Sequence, residues 1–128
     1  MRFLLDTHIF VWWTLDSPKL SRAARDVLKN SHNFLYLSIA SIWEIVIKSS
    51  IGKIILPEST EIFIQKQMRL NSVNLLNIKI SHAFAVLQLP MIHKDPFDRM
   101  LIAQSSCENL TLITDDSFIR QYEVKTIN

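Results

Sequence analysis

Four acidic positions in this chain have the chemistry and the setting of a metal site. Each stands where a predicted strand or helix meets a loop: Asp6, Glu44, Asp98 and the pair Asp115–Asp116. Carboxylates held close together repel one another, so some must protonate unless a cation neutralises them. An all-oxygen set of this kind selects a hard ion, Mg²⁺ or Mn²⁺. The chemistry that such an ion supports best is displacement at phosphorus, in which it activates water and stabilises the leaving oxygen.

The stretch HKDPFDRMLIAQ, His93–Gln104, predicts how one of these carboxylates is placed. Asp95 is a good N-cap and Pro96 suits the first turn of a helix, where its missing N–H is not needed. Asp98 then lies in that first turn, with leucine and isoleucine three and four positions later on the same face. We therefore expect its carboxylate to point along the apolar side. The alternative is that it only complements the positive end of the helix dipole.

Glu44 is the only acidic residue of an otherwise apolar helix predicted for Ile39–Ile51. Together with Ser41 and Lys48 it forms a narrow polar stripe. The alternative interpretation is a surface Glu–Lys pair four residues apart, which contributes only a few tenths of a kcal/mol. A helix this apolar is largely buried, however, and buried carboxylates persist only when they are paired or hold a metal. We therefore expect Glu44 to belong to the acidic site.

Short apolar runs alternate with helical patterns along the whole chain. Strands are predicted at Phe3–Leu5, Phe34–Leu37, Val73–Ile80, Thr111–Ile113 and Val124–Ile127. Helices are predicted at His8–Leu15, Ser21–Lys29, Ile39–Ile51, Thr60–Asn71, Ser81–Leu89, Pro96–Glu108 and Ser117–Tyr122. This order predicts an α/β fold of three layers, with a mostly parallel sheet of about four or five strands between helices. Ligands of such sheets bind outside the carboxyl ends of the strands, where Asp6 and the aspartate pair are expected.

Length and composition predict one ordinary globular domain, residues 1–128. The chain is 48% apolar and 20% charged with a single glycine, which excludes disordered and low-complexity classes. A net charge of +2 does not by itself indicate a nucleic-acid binder. The lone Cys107 cannot form an internal disulfide, and the apolar runs are too short for a signal peptide or a membrane span. We expect a cytoplasmic protein with no membrane association.

Four segments in order along the chain, FLLDTH, SIWEI, HKDPFDRMLIAQ and LITDDSF, resemble the PIN-domain ribonucleases, most closely the VapC-type toxins of bacterial type II toxin–antitoxin systems. The resemblance implies a PIN-like fold and an Mg²⁺- or Mn²⁺-dependent endoribonuclease. Such an enzyme hydrolyses RNA, often tRNA, and leaves a 5′-phosphate and a 3′-hydroxyl. The resemblance places the catalytic and metal-binding positions at Asp6, Glu44, Asp98 and Asp116, with Thr114 in support. The doubled aspartate leaves the last position open between Asp115 and Asp116.

The same resemblance implies partners: an RNA substrate, a small antitoxin protein that covers the acidic cleft, and a second copy of the chain in a homodimer. The amphipathic helix predicted for Thr60–Asn71 and the apolar region Ile9–Trp13 are candidate contact surfaces. Arg99, Lys48, Lys53 and Lys94 lie near the predicted cleft in the sequence and could contact RNA phosphates. Ordinary surface solubility explains each lysine equally well.

Two other functions compete with this one. A catalytically silent PIN-fold module that binds RNA or protein would be favoured by an incomplete carboxylate set, whereas all four positions are filled here. A phosphatase would need a second aspartate two residues after Asp6, where His8 stands. Because a hard ion does not need imidazole, we expect His8 and His93 to have structural or hydrogen-bonding roles.

Overall fold

Five parallel strands form the sheet around which the fold is built. The computed structural model describes residues 1–128. Its strands are β1 (Arg2–Leu5), β2 (Phe34–Ser38), β3 (Val73–Leu76), β4 (Thr111–Ile113) and β5 (Thr126–Ile127). They lie in the order β3-β2-β1-β4-β5. The predicted α/β class and strand number are confirmed, and the sheet is entirely parallel.

Six α-helices cover the sheet. They are α1 (Thr7–Thr14), α2 (Arg22–Lys29), α3 (Ile39–Ser50), α4 (Thr60–Leu70), α5 (Ile80–Ala85) and α6 (Pro96–Glu108). Two short 3-10 helices, Val86–Gln88 and Ile119–Gln121, follow α5 and β4. None of the helices combines the length and apolarity needed to cross a bilayer.

The sheet separates two apolar cores, because successive side chains of a strand point to opposite faces. In β1, Phe3 and Leu5 pack in a core with residues of α1, α2 and α4, whereas Leu4 packs in the opposite core with α6. Helix α3 contributes to both, through Ile45 on one side and Ala40 on the other. These two cores give the three-layer architecture expected from the sequence.

Four elements are clearly shorter than predicted, one of them the helix predicted for Ser81–Leu89, whose α-helical part ends at Ala85 and continues as a 3-10 turn. The third strand ends at Leu76, because its only neighbour β2 ends at the paired residue Ser38 and residues 77–80 have no strand to bond. The helix predicted for Ser117–Tyr122 is a single 3-10 turn, and the last strand is only two residues long.

The strand order creates a crevice at the carboxyl end of β1. From this central strand the chain builds β2 and β3 on one side and returns to build β4 and β5 on the other. Such a reversal is where ligands bind in open parallel sheets. Asp6 follows β1 directly, so it stands at this point.

Candidate metal centre at the carboxyl end of the sheet

Strand pairing brings the first and last acidic segments together. Leu5 of β1 is in register with Ile113 of β4, and the Asp6 N–H donates to the Ile113 carbonyl at 3.0 Å. In the next position the Thr114 hydroxyl donates to Asp6 Oδ2 at 2.7 Å. The Asp116 N–H in turn donates to Thr114 Oγ1 at 3.0 Å. Thr114 is fully buried, so its hydroxyl links Asp6 to the backbone of Asp116.

Replacement of Thr114 by valine is expected to lower activity without unfolding the protein. Valine keeps the shape but removes the hydroxyl, so Asp6 loses its donor and the Asp116 N–H loses its acceptor. Loss of a group that orients metal ligands reduces activity or metal affinity by about 10–100-fold, and the lost hydrogen bonds cost about 1–2 kcal/mol. Thr114→Ser should stay close to wild type. Thr111→Val, at the other end of β4, is the matched control, and equal activity of both valine variants would contradict this role.

Helix α3 brings Glu44 to the same crevice. Its N-cap Ser38 ends β2 and accepts the Ala40 N–H at 3.0 Å, so the helix starts at the carboxyl edge of the sheet. A buried hydrogen bond of 2.9 Å from the Thr7 hydroxyl to Ser41 joins α3 to the start of α1. Glu44, one turn later, is only 3% exposed and forms an ion pair with Lys48.

The ion pair between Glu44 and Lys48, four residues apart, exists as one interpretation of this helix expected. Glu44 is nevertheless buried, as the interpretation of an acidic site expected. Burial alone would lower the pKa of Lys48, but the hydrogen bond and negative charge of Glu44, together with Asp95 and Asp98, outweigh it and raise that pKa. The Lys48 ammonium therefore carries its charge beside the carboxylates.

Helix α6 supplies Asp98 as its capping signals predicted. The Asp95 carboxylate accepts the Asp98 N–H at 3.0 Å, Pro96 occupies the first turn, and the helix has the predicted bounds. Burial raises the pKa of Asp98 to about 8, assisted by repulsion from Asp6, Asp95, Glu44 and Asp116. Asp98 is thus close enough to the other three expected carboxylates to be repelled by each of them.

Two oxygens of this cluster fit the hypothesis of a bound cation. Asp6 is 2% exposed, and burial followed by the charge of Glu44 raises its pKa against the opposing effect of the Thr114 hydrogen bond and of His8. Its Oδ1 atom is buried without a hydrogen-bond partner, and so is Oε1 of Glu44. A buried, unpaired carboxylate oxygen is costly. An ion such as Mg²⁺ or Mn²⁺, which prefers carboxylate oxygens, would satisfy both atoms.

The structure distinguishes the two neighbouring aspartates. Asp115 is exposed. Asp116 directs Oδ1 to the N–H groups of Phe118 and Ile119, at 2.8 and 3.2 Å, and Oδ2 towards the imidazole of His93. Of the two, only Asp116 lies with the other carboxylates, and its role as the fourth site residue stays a prediction.

His93 contacts two of the site carboxylates directly, although the sequence indicated only a structural or hydrogen-bonding role for it. Its Nε2 is 2.8 Å from Asp98 Oδ2 and 3.3 Å from Asp116 Oδ2, and the three side chains form a group of potential ligand atoms within 4.8 Å of one another. Its position two residues before the DPFDR segment was the available signal. The expected hydrogen-bonding role is consistent with these contacts. His8, by comparison, is exposed and its ring lies 5.8 Å from that of Trp12.

The expectation that Arg99 contacts phosphate is wrong, because its guanidinium is buried and engaged inside the protein. The side chain points away from solvent, with the residue 9% exposed. It donates to five oxygens: the carbonyls of Val86, Leu89, Pro90 and His93 and the hydroxyl of Tyr122, at 3.0–3.4 Å. Arg99 therefore fastens the segment before α6 to the helix. Lys94 is exposed at the edge of the acidic cluster and remains free to meet a ligand.

Comparison with known proteins agrees with this architecture. A chain of VapBC2 from Rickettsia felis, solved bound to a DNA fragment from its promoter, has a TM-score of 0.72 and 16% identity over 100% of this chain and 98% of that chain. A chain of VapBC-1 from nontypeable Haemophilus influenzae has a TM-score of 0.67 and 20% identity, over 100% of this chain and 98% of that chain. A chain of DNA-bound VapBC from Salmonella typhimurium has a TM-score of 0.69 and 15% identity, over 99% of this chain and 97% of that chain.

No curated protein matches the sequence. The family model of the PIN domain, in contrast, matches residues 3–125, from β1 to the residue before β5. That span includes every acidic position described above. The chain belongs to the PIN-domain family.

Proposed function

We propose that this chain is an endoribonuclease that depends on Mg²⁺ or Mn²⁺ and acts as a VapC-like toxin. The observation that carries the proposal is the pair of buried, unpartnered oxygens, Asp6 Oδ1 and Glu44 Oε1, on carboxylates that both repel Asp98. A protein that kept these residues only for packing would have no reason to bury unpaired carboxylate oxygens. Membership of the PIN family and the likeness to VapBC structures support the same conclusion.

In this proposal the residues of the crevice have separate tasks. Asp6, Asp98, Glu44 and Asp116 would together hold the ion. A bound Mg²⁺ or Mn²⁺ would supply Lewis-acid polarisation of the phosphodiester and activation of water for in-line displacement. Thr114 keeps Asp6 oriented, and the Lys48 ammonium balances part of the negative charge. No side chain is required to form a covalent intermediate, and the products carry a 5′-phosphate and a 3′-hydroxyl.

A groove next to the acidic cluster supports a nucleic-acid substrate. Its volume is about 410 Å³, and it lies between α1 and the loop after α3. Thr7, which follows Asp6, lines it together with His8, Trp12, Lys48 and Lys53. Lysines can contact backbone phosphates, and an aromatic ring offers a surface for a base. A strand in this groove would pass directly beside Asp6.

Lys53→Met is expected to weaken RNA binding at all sequences and to reduce the slope of log affinity against log salt by about one, because one phosphate contact is lost. Fluorescence anisotropy with a labelled RNA at several salt concentrations measures both effects. Lys29→Met, on an exposed lysine at the end of α2, is the control and should leave affinity and slope unchanged. Equal slopes for the two variants would remove this groove from the proposed substrate path.

The substrate class is tested with RNA and DNA strands of one sequence, and with total tRNA, in the presence of Mn²⁺ or Mg²⁺. The proposal expects cleavage of RNA to products with 5′-phosphate ends. A kinase should label these ends only after a phosphatase has removed the 5′-phosphate. Binding of RNA without cleavage would instead favour the catalytically silent module. Cleavage of DNA alone would retain a nuclease but reject the RNA substrate.

We also propose an antitoxin partner and a homodimer. The support is the likeness to VapBC complexes together with an apolar groove of about 520 Å³ between α3 and α4, lined by residues that include Ile42, Val46, Ile64 and Met68. This groove lies along the helix predicted as a contact surface. A partner seated there would reach the acidic cluster along α3, which carries Glu44.

A further inference from the structure

We propose that His93 is a positioning residue that holds Asp98 and Asp116 at a fixed separation through its Nε2 N–H, and that it is not itself a ligand of the ion. The inference rests on the proposed metal site and adds a role for a residue that an oxygen-only site does not require. It also assigns different roles within this group: Asp98 and Asp116 offer oxygens to the ion, and His93 orients their carboxylates.

The hydrogen bonds of the ring determine its tautomer. The Asp95 N–H donates to His93 Nδ1 at 3.3 Å, so Nδ1 presents its lone pair to the backbone and carries no proton. A neutral imidazole then carries its proton on Nε2. That nitrogen hydrogen-bonds Asp116 Oδ2 at 3.3 Å and lies 2.8 Å from Asp98 Oδ2. Both nitrogens are therefore occupied, and no lone pair remains for a metal.

The backbone of His93 is held as firmly as its ring. Its N–H donates to the Tyr122 hydroxyl at 2.7 Å, and its carbonyl accepts from Arg99 at 3.3 Å. The Tyr122 hydroxyl itself donates to the Pro90 carbonyl at 2.9 Å, and the His93 ring packs against Phe118 with 5.5 Å between ring centres. In this proposal the buried Arg99 and Tyr122 act together to fix His93, the residue that orients two carboxylates.

The arrangement has a consequence for the chemistry of the cluster. Without a donor between them, Asp98 and Asp116 would turn apart under mutual repulsion. With Nε2–H between them, each carboxylate contacts the imidazole through Oδ2, and Asp98 keeps Oδ1 available. Groups that orient metal ligands in this way contribute about 10–100-fold to metal affinity.

Mn²⁺ binding to three variants tests the proposal independently of RNA cleavage. His93→Leu removes the donor, His93→Gln places an amide N–H near the former Nε2, and His32→Leu alters an exposed histidine just before β2, at the amino end of the strands. We expect a loss of affinity of about 10–100-fold in His93→Leu, recovery of at least half of it on a logarithmic scale in His93→Gln, and no change in His32→Leu. The concentration of free Mn²⁺ is read from its electron paramagnetic resonance signal, and circular dichroism confirms folding.

Two spectroscopic measurements on the unsubstituted protein do not depend on any variant folding. Nitrogen-15 NMR of the metal-free protein is expected to show His93 protonated on Nε2, and pulsed electron paramagnetic resonance of the Mn²⁺ form is expected to show no directly bound nitrogen. The opposite tautomer, a Mn²⁺–nitrogen coupling, or unchanged Mn²⁺ affinity in His93→Leu would overturn this inference and leave the proposed function standing. Absence of Mn²⁺ binding by the unsubstituted protein would overturn both.

Discussion

Replacement of Asp98 by asparagine is expected to abolish RNA cleavage and, at the same time, to make the metal-free protein more stable at alkaline pH. The two effects have one cause: this carboxylate is held against four others, an arrangement that favours a cation and opposes folding without one. Asparagine keeps the size of the side chain and can still accept a hydrogen bond from His93, so the change removes mainly the charge.

The stability effect has a defined direction with pH. Folding raises the pKa of Asp98 from the usual 3.8 to about 8. Between these values the native state binds a proton that the unfolded chain does not, so wild-type stability falls as pH rises from about 4 to about 8. Each unit of upward shift corresponds to about 1.4 kcal/mol, and partial exposure of the site reduces the effect. We expect Asp98→Asn to gain about 2 kcal/mol at pH 9 and little at pH 4.

Urea unfolding of the metal-free protein at pH 4, 6 and 9 measures this gain, with Asp26→Asn on the exposed face of α2 as the matched control. Cleavage by Asp98→Asn should fall by at least about 100-fold, since several kcal/mol of transition-state stabilisation are removed. A variant that is less stable than wild type at pH 9, or one that cleaves RNA at the wild-type rate, would contradict the placement of Asp98 in the metal site.

Replacement of Arg99 by methionine is expected to destabilise the protein by about 3 kcal/mol or more. Methionine fills a similar volume but removes the guanidinium donor from five oxygens, and hydrogen bonds to a charged group contribute about 1.5–3 kcal/mol each when intact. The carbonyls belong to residues 86–93 and the hydroxyl to Tyr122, so the segment that carries His93 would loosen first. Arg99→Lys should be intermediate, because an ammonium has fewer donors than a guanidinium.

Arg120→Met is the control for this change, since Arg120 is exposed in the 3-10 turn near the same region and should shift stability by no more than about 0.5 kcal/mol. Urea unfolding of all variants at one pH gives the comparison. If Arg99 instead contacted RNA, Arg99→Met would keep wild-type stability and lose RNA affinity, and that result would restore the interpretation drawn from the sequence.

Local signals allowed the sequence to predict part of this site. An N-cap aspartate and a proline determine the start of α6, so the position of Asp98 followed from neighbours within three residues. Parallel strands end at one edge of the sheet, and for this reason Asp6 and the segment after β4 were expected to meet. The Thr114 hydrogen bond shows how close that meeting is.

Interactions between distant segments were not predictable in the same way. One acceptor of Arg99, the Tyr122 hydroxyl, lies 23 residues away, and the others are carbonyls of residues 86–93 that pack against Tyr122. Sequence proximity to the cleft was therefore a misleading signal. The length of β3 depends on where β2 ends rather than on its own residues. His93 lies two residues before the DPFDR segment, but its contacts with Asp98 and Asp116 require both α6 and the turn after β4.

The dependence of RNA cleavage on added metal tests the central claim most directly. The chain is stripped with EDTA, dialysed and incubated with end-labelled RNA over a range of Mn²⁺ concentrations, beside Asp6→Asn. We predict no cleavage without metal, a rate that rises and saturates with Mn²⁺, and a rate at least about 100-fold lower for Asp6→Asn at every concentration. Cleavage by the stripped protein, or equal rates for the two proteins, would contradict the claim that these carboxylates form a metal-dependent nuclease site.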